Sequence, residues 1–407
     1  MSEQESLALD RQEGRTGETR RIGFLGFLTL LTITAAAILH VNQPEFILDR
    51  FVGISELEYS LFDTTLYLSY LTVGITVGAL SDLWAKRRAF VFVGTAGSVL
   101  FYFLMTTALV YPLLLVYRFI QGAFTVMAWQ TFMTLAIDFS GERSRGKNMG
   151  LFGAFLATAM GLGPALGGVI ASYGVFMPYY VASGLNIAAF ILALAGLKEP
   201  EFTKARPELR ESLDIVRTHP RLVVPGLFNM VDRLHIGFIL TALPLFLSTV
   251  LGLSESLRGL SLAIFATPFI ILQYPMGKLS DKYGRYRPLV VGSISYGIIL
   301  TLLGAVGVLG FESLLLMLAL LGLFSGVTAP PAMALVGDTV EQKDSAMGMG
   351  FFNLMGNIGI TIGPLVFGIL TIFTDFVGVF VVAGLLEILA LLVIIIIIRK
   401  GLGEKLV

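Results

Sequence analysis

The chain has 407 residues, of which 56% are hydrophobic and only 14% are charged, and its mean hydropathy is +0.83. Soluble domains are typically about 45–50% apolar and about 25% charged, so this composition excludes water as the main solvent of the folded chain. The formal net charge is zero and there is no cysteine, which excludes disulfides and thiolate chemistry and gives no reason to expect a nucleic-acid partner.

Hydrophobic length predicts an all-α membrane protein with twelve transmembrane helices. A spanning helix needs about 20 largely apolar residues, because backbone polar groups in hydrocarbon must be satisfied within the segment. The predicted spans are residues 22–41, 57–80, 89–110, 113–139, 149–172, 175–197, 222–250, 257–279, 289–309, 314–337, 346–373 and 377–398. The first span lacks a small-residue cleavage site, so we interpret it as a retained helix rather than a signal peptide.

The distribution of charge predicts the orientation. All Lys and Arg residues except Arg50, Arg118, Arg233 and Arg258 lie in the two tails or in the loops after spans 2, 4, 6, 8 and 10. By the positive-inside rule, both termini are therefore expected to be cytoplasmic, in a multi-pass protein of the cell membrane. The loop after span 1 carries acidic residues instead, namely Glu45, Asp49, Glu56 and Glu58.

The chain divides into two halves that repeat each other. A hydrophilic linker, residues 198–221, separates one six-helix bundle at 22–197 from another at 222–398, with tails at 1–21 and 399–407. The segment 277–285 echoes 78–86 at an offset of 199 residues, and Gly163-Pro164 recurs as Gly363-Pro364 at an offset of 200. Parallel six-helix repeats fit a transporter whose halves rock around a site near the middle of the membrane.

The loop after span 8 carries the sequence from Gly277 to Arg285, which resembles the G-x-L-[AS]-D-[RK]-x-G-[RK] signature of the major facilitator superfamily. The first copy departs from the signature at Leu83 and Ala85. The resemblance covers essentially the whole chain and implies two pseudo-symmetric six-helix bundles that work by alternating access.

The resemblance also implies a cytoplasmic gate. In such a gate Asp82 would dock on the start of span 11 and Asp281 on the start of span 5, where the positive end of a helix attracts an acid. An ordinary helix cap next to a positive-inside cluster would use the same residues. The predicted gate residues are Gly78, Asp82, Lys86, Arg87, Gly277, Asp281, Lys282, Gly284 and Arg285.

Two further motifs resemble the drug:proton antiporter branch of the superfamily. Span 4 contains Arg118-x-x-Gln121-Gly122, and span 5 contains a glycine-rich series around Pro164. Small residues let helices approach closely and proline bends them, so generic packing would produce a similar pattern. The antiporter series predicts helix-packing roles for Gly150, Gly163, Pro164, Gly167 and Gly168.

Ionisable groups inside spans are functional candidates, because an unpaired charge there costs at least a few kcal/mol. Ser55-x-x-Glu58 predicts a capping box that puts Asp63 about two turns into span 2. Asp232 is the preferred coupling residue. The candidates for proton coupling or substrate binding are His40, Asp63, Arg118, Gln121, Asp232, Arg233, His235 and Glu387.

Each candidate also has a purely structural interpretation. His40 and His235 could be satisfied core histidines, and Asp63 could be a solvated acid in an outer vestibule. Asp232 and His235 share a helix face, whereas Arg233 points about 100° away from Asp232 and needs another partner. Glu387 in span 12 is deep enough to be that partner.

These features favour a proton-coupled exporter of small amphiphilic molecules, for which 31 Phe and 14 Met could line an adaptable cavity or simply face lipid. The alternatives are a proton-coupled or facilitative importer of a sugar, organic acid or other metabolite, and a receptor on the same fold. The motifs of nucleotide-binding loops, zinc peptidases and nucleophile elbows are absent from the sequence, so we expect no enzyme, cofactor or metal. The expected partners are a small-molecule substrate, protons and lipid, without nucleic acid, and the chain is expected to be a monomer.

Overall fold

The computed structural model describes residues 3–84, 86–141, 144–199 and 209–399, and these ranges contain α-helices, short 3-10 turns and connecting loops. The first half contains α1 (Glu3–Ala37), α2 (Gln43–Leu48), α3 (Glu56–Trp84), α4 (Arg87–Thr107), α5 (Tyr111–Asp138), α6 (Arg145–Ala171) and α7 (Met177–Gly196). The short helix α8 (Leu209–Thr218) lies in the linker. The second half contains α9 (Val223–Thr249), α10 (Glu255–Tyr283), α11 (Tyr286–Gly307), α12 (Phe311–Thr339), α13 (Ser345–Leu370) and α14 (Phe376–Ile397).

The twelve-helix fold predicted from the sequence is confirmed. Eleven of the described helices are long and apolar enough to cross a membrane. The twelfth, α3, has 29 residues and is more polar, but it packs along α5 and α13 in the middle of the bundle. Its start is the predicted capping box, in which Ser55 N donates to Glu58 Oε2 at 2.9 Å and Glu58 N donates to Ser55 Oγ at 3.2 Å. Helix α1 begins at Glu3, within the predicted tail.

Glycines set how closely the helices of each half approach. On α6, a Cβ at Gly163 would collide with the Cβ of Ala37 on α1, and a Cβ at Gly167 would collide with the backbone of Ile38. On α13, a Cβ at Gly363 would collide with the Leu234 carbonyl on α9. The fifth span of each half therefore packs against the first span through the same glycine positions.

The next glycine on each of these helices faces the opposite half. A Cβ at Gly168 on α6 would collide with the Glu255 carbonyl on α10, and the Cα of Gly259 lies 3.1 Å from the same point. In the same way, a Cβ at Gly368 on α13 would collide with Ser60 on α3. The glycine series that resembles the antiporter motif thus forms contacts both within a half and between the halves. Gly150, by contrast, has open space where a Cβ would lie.

The two ends of the bundle differ. We call the end that holds Glu45 and the other acids of the first loop the acidic end, and the opposite end, predicted to be cytoplasmic, the basic end. At the acidic end the halves are joined, because Arg258 Nη2 on α10 lies 2.8 Å from Glu45 Oε1 on α2, and Ser248 Oγ on α9 donates to the same oxygen at 2.9 Å. A hydrophobic core containing residues of both halves surrounds this contact.

At the basic end the facing surfaces separate. Tyr274 on α10 is 71% exposed, although Ile270, one turn before it on the same face, still meets Gly161 on α6. Gly153 on α6 also has open space beside it. The structure is therefore a conformation closed at the acidic end and open towards the basic end.

We expect Gly168→Ala to disfavour this conformation, because overpacking typically costs about 1–3 kcal/mol. A shift of 1 kcal/mol changes the ratio of the two conformations roughly fivefold. The chain has no cysteine, so Leu245→Cys can report opening through its labelling rate with an impermeant maleimide. Leu245 is 1% exposed and shares the α9 face that carries Thr241 and Ser248.

Gly150→Ala is the matched control, because its added methyl group meets open space. Labelling that rises equally, or not at all, in the two variants would show that the Gly168 contact does not hold the acidic end closed.

Candidate proton-coupling and substrate site

Asp63 is the most enclosed acid of the central helices, with a side chain that is 0% exposed. Gln43 Nε2 donates to its Oδ1 at 2.8 Å, and Arg118 Nη2 lies 3.5 Å from the same atom. Its other oxygen, Oδ2, accepts a hydrogen bond of 2.9 Å from Thr241 Oγ1. Because Thr241 belongs to α9, this carboxylate joins the two halves. The interpretation of Asp63 as a solvated vestibule acid is wrong, since α9 and α5 cover it.

Arg118 reaches Asp63 because α5 and α3 lie side by side. Its Nη1 donates to Gln121 Oε1 at 3.0 Å, one turn further along the same face of α5. Its guanidinium stands 4.4 Å from the centroid of the Phe62 ring. The R-x-x-Q pattern therefore fixes a buried cation beside the acid, which is what the cost of an unpaired charge in hydrocarbon requires.

His40 completes this cluster. Its Nδ1 lies 3.3 Å from Gln43 Nε2 and 3.8 Å from Asp63 Oδ2. Gln43 is positioned by the short helix α2, whose Pro44 starts the turn. The structure thus brings together four of the predicted residues, His40, Asp63, Arg118 and Gln121. Thr241 was missed, because an intramembrane threonine ordinarily bonds its own helix, as Thr241 also does to Gly237 O at 3.1 Å.

The other four predicted residues lie in the second half. His235 Nδ1 is 3.1 Å from Glu387 Oε2, and His235 Nε2 is 3.1 Å from the Ala383 carbonyl. The expectation that Glu387 pairs with Arg233 is wrong. The physical reason is the rotation of α9, which turns His235 towards α14 and places the Cγ of Arg233 beside Gly356 on α13.

A small cavity of about 20 Å³ opens beside this group, enough room for about one water molecule. Ser325 Oγ donates to Asp232 Oδ1 at 3.4 Å at its edge. The cavity is lined by Phe228, Asn229, Asp232, Ser293, Tyr296, Thr328, Ala329, Ala332 and Glu387.

In each half, an arginine of the loop at the basic end forms the same ion pair with an aspartate and the same hydrogen bond with a serine. In the first half, Arg87 is buried, pairs with Asp138 at 3.3 Å and donates to Ser81 at 2.6 Å. In the second half, Arg285 donates to Asp338 at 2.7 Å and to Ser280 at 2.8 Å. The hydrogen bond to Asp338 raises the pKa of Arg285, so this cation stays charged.

The predicted gate contact of Asp281 with the start of span 5 is not made in this conformation. Asp281 is 65% exposed and pairs with Arg285 of its own half. The contact is impossible here because the halves are apart at the basic end. Lys86 and Lys282 are exposed, and Gly78 and Gly277 have open space beside them.

Gly284 has a φ of +86°, which explains a glycine between α10 and α11. The side chain of Asp82 lies outside the described residues.

A family model described as the Major Facilitator Superfamily matches residues 25–231 and again residues 226–405. The chain belongs to the Major Facilitator Superfamily. The first match spans the first six-helix half, the linker and the start of α9, and the second match begins in α9 and spans the rest of the second half. Members of the Major Facilitator Superfamily carry small molecules across membranes, so the coarse prediction of a multi-pass membrane transporter is confirmed.

Several relatives have named activities. A tetracycline resistance protein, class G, of Vibrio anguillarum is 28% identical over 302 residues, which is 72% of this chain and 75% of that protein. The quinolone resistance protein NorA of Staphylococcus aureus is 22% identical over 368 residues, 86% of this chain and 90% of that protein. An uncharacterised MFS-type transporter of Methanocaldococcus jannaschii is 25% identical over 342 residues, 81% of this chain and 85% of that protein.

Solved structures share the fold. The nucleoside transporter NupG superimposes with a TM-score of 0.75 at 12% identity, covering 94% of this chain and 99% of NupG. A bacterial homologue of the lysosomal transporter Spinster, in an inward-facing and unoccupied conformation, gives a TM-score of 0.70 at 14% identity over 96% of both chains. At these identities the likeness concerns the arrangement of helices alone.

Arg118→Ala should lower the thermal stability strongly, because it leaves Asp63 buried without its guanidinium partner. Removing one member of a buried pair costs about 3–5 kcal/mol, whereas an exposed pair is worth about 0–1 kcal/mol. The measurement is the apparent unfolding temperature in detergent. Arg210→Ala is the control, because Arg210 is 89% exposed in its pair with Asp214.

The double variant Asp63→Asn/Arg118→Ala should recover much of the loss, since no buried charge remains unpaired. A double variant as unstable as Arg118→Ala alone would mean that Arg118 acts through packing on Phe62 rather than through its charge.

Proposed function

We propose that this protein is a proton-coupled exporter of small amphiphilic molecules in which Asp63 carries the proton. One observation carries the proposal. A fully buried carboxylate accepts hydrogen bonds from its own half through Gln43 and from the opposite half through Thr241, and it lies beside a buried arginine. Intramembrane acids in such surroundings are the usual carriers of protons in transporters.

The geometry couples the charge of Asp63 to the contact between the halves. An ionised carboxylate only accepts hydrogen bonds, and charge-assisted bonds are roughly twice as strong as neutral ones. Protonation removes the charge and turns one oxygen into a donor, which weakens both the bond from Thr241 and the attraction of Arg118. Proton binding and the opening of the acidic end therefore both depend on the Asp63 carboxylate, as coupling between two sites requires.

Asp63 is better placed for this role than Asp232, which sequence reasoning preferred. Asp232 is partly exposed in a cavity of the second half, and the hydrogen bond described for it, from Ser325, stays within that half. A group that contacts one half alone has no direct means of favouring one arrangement of the halves over the other. We therefore assign proton binding to Asp63 and substrate binding to the second half.

Two features support export. Relatives named as tetracycline and quinolone resistance proteins match most of the chain. The R-x-x-Q-G and glycine motifs resemble the antiporter branch, and their residues form the cation site beside Asp63 and the contacts between the halves. With the basic end in the cytoplasm, protons would enter as the substrate leaves.

Asp63→Asn should abolish accumulation driven by a pH gradient and leave exchange of substrate down its own gradient intact. The amide keeps the shape of the side chain but cannot carry the proton. The measurement is transport of ethidium in proteoliposomes with and without a pH gradient. Glu56→Gln is the matched control, because Glu56 is an exposed acid on the same helix.

Gradient-driven accumulation that persists in Asp63→Asn would overturn the role of Asp63. Proton movement in the same direction as ethidium would indicate an importer instead. Thr241→Val, which replaces the hydroxyl group with a methyl group of similar size, should keep proton coupling but increase labelling of the Leu245→Cys reporter at the acidic end.

A further inference from the structure

We propose that His219 and Asp344 form a pH-sensitive anchor, which holds the linker helix α8 on the start of α13 in acid and releases it as the pH rises. The pair lies at the basic end, which is predicted to be cytoplasmic. The inference goes beyond the proposed function, because it uses none of the residues around Asp63 and applies equally to an exporter and an importer.

Helix α8 attaches the connection between the halves to the second half. Ile215, in the middle of α8, is only 6% exposed and belongs to a hydrophobic cluster that includes Phe351 and Phe352 on α13. The charged side chains of α8 point outward, and those of Arg210 and Arg217 are 89% and 85% exposed. A helix of 10 residues is marginal in water on its own, so α8 depends on this docking.

The hydrogen bonds around His219 fix which of its ring nitrogens can change charge. Thr218 Oγ1 donates to the Ile215 carbonyl at 3.0 Å and lies 3.0 Å from His219 Nδ1. A hydroxyl group has one hydrogen, so both contacts are made at once only if Nδ1 donates to the hydroxyl oxygen. The neutral ring then carries its hydrogen on Nδ1, and Nε2 is the atom that gains a proton in acid.

His219 Nε2 faces a carboxylate. It lies 3.8 Å from Asp344 Oδ2, which is an ion-pair distance but too long for a hydrogen bond. Without a proton, Nε2 presents a lone pair to this negative oxygen, and the contact is unfavourable. A proton on Nε2 turns the contact into an attraction between opposite charges, since the two side chains are only 25% and 15% exposed. An imidazole ordinarily titrates between about pH 5 and 8, where a carboxylate stays ionised, so the anchor forms on the acidic side of that range and is lost on the alkaline side.

The other charged groups on the surrounding elements do not titrate in this range. On α8, Asp214 pairs with Arg210 and Arg217. On α12, Asp338 pairs with Arg285. The first two turns of α9 and the whole of α13 carry no charged residue. The charged residues next to the pair in sequence are Arg221, Glu341 and Lys343, of which the Lys343 side chain lies outside the described residues. Aspartate, glutamate, lysine and arginine ordinarily keep their charge near neutral pH, so His219 is the group that responds.

The first half makes a matching contact with groups that do not titrate near neutral pH. Glu18 lies 201 residues ahead of His219, and Ser144, which precedes α6, lies 200 residues ahead of Asp344, which precedes α13. Glu18 Oε1 accepts hydrogen bonds from Ser144 Oγ and from Asn148 Nδ2, both at 2.5 Å. Hydroxyl and amide groups keep their hydrogens in this range. The internal repeat thus keeps the contact in both halves but makes it sensitive to pH in the second half alone.

Hydrogen exchange of the full chain in detergent, followed by mass spectrometry, tests the anchor. The protection of the α8 amides is measured at about pH 6 and about pH 8, on either side of the imidazole titration, and corrected for the intrinsic pH dependence of exchange. A short docked helix exchanges when it undocks, so we expect protection to be about two- to fivefold higher in acid, as a partly exposed ion pair implies. The start of α6, which Glu18 holds, is the internal reference and should be protected equally at both pH values.

Variants assign the response to the pair. His219→Gln and Asp344→Asn each remove one charge and should lower the protection of α8 in acid to its alkaline value. His219→Arg keeps a positive charge at both pH values and should keep α8 protected at both. Thr218→Val removes the acceptor of Nδ1, so the neutral ring can carry its hydrogen on Nε2, and the response to pH should become smaller.

Arg217→Gln is the matched control, because it removes an exposed cation of the same helix and leaves the pair intact, so the response should be unchanged. Unfolding temperatures show whether each chain is folded. The proposal is overturned if α8 of the wild type is protected equally at both pH values, if His219→Gln or Asp344→Asn keeps the full response, or if the start of α6 responds as strongly as α8.

The test is separate from proton coupling. The response of α8 should persist in Asp63→Asn, in which coupling is expected to be lost. A response that disappears in Asp63→Asn would show that α8 reports the arrangement of the halves rather than the charge of His219, and would also overturn the anchor. Intact coupling through Asp63 together with an unresponsive α8 would remove the anchor and retain the exporter.

Discussion

The structure depends on the need to hold the charge of Asp63 away from water and lipid. A lone carboxylate at this depth would be very costly, and three neighbouring helices supply compensating groups. Arg118 comes from α5, Gln43 from α2 and Thr241 from α9. The last of these belongs to the other half, so a requirement of local electrostatics becomes a restraint on the arrangement of the whole molecule.

Around this charge, the internal repeat gives the two halves the same helix packing. Gly163 and Gly363 bring the fifth span of each half onto the first, and Gly168 and Gly368 bring it onto the opposite half. The halves use their polar residues differently. The first half buries its acid against arginine, whereas the second leaves Asp232 facing a cavity. A symmetric scaffold therefore carries an asymmetric distribution of charge.

The fold could be predicted from the sequence because hydrophobic length and the constant repeat offset are local properties of the chain. The cost of a lone charge in hydrocarbon also implies a partner or a cavity for Arg118. That the partner is Asp63 did not follow from the sequence, since the contact between α3 and α5 depends on tertiary packing. For the same reason the sequence suggested Arg233 as the partner of Glu387, whereas the rotation of α9 presents His235. Thr241 gave no signal, because hydroxyl groups in spans commonly bond their own helix.

The glycine contacts at the acidic end also bear on how fast the halves can part. Where Gly168 meets Gly259, backbone faces backbone, so few side chains must leave one rotamer and find another during separation. Interlocked large side chains would add such steps to every cycle. The polar bonds between the halves that must break at this end, those of Thr241 with Asp63 and of Arg258 and Ser248 with Glu45, therefore contribute directly to the activation barrier for opening. The close contact between Gly168 and Gly259 thus lets the charge of individual side chains influence the rate at which the transporter changes conformation.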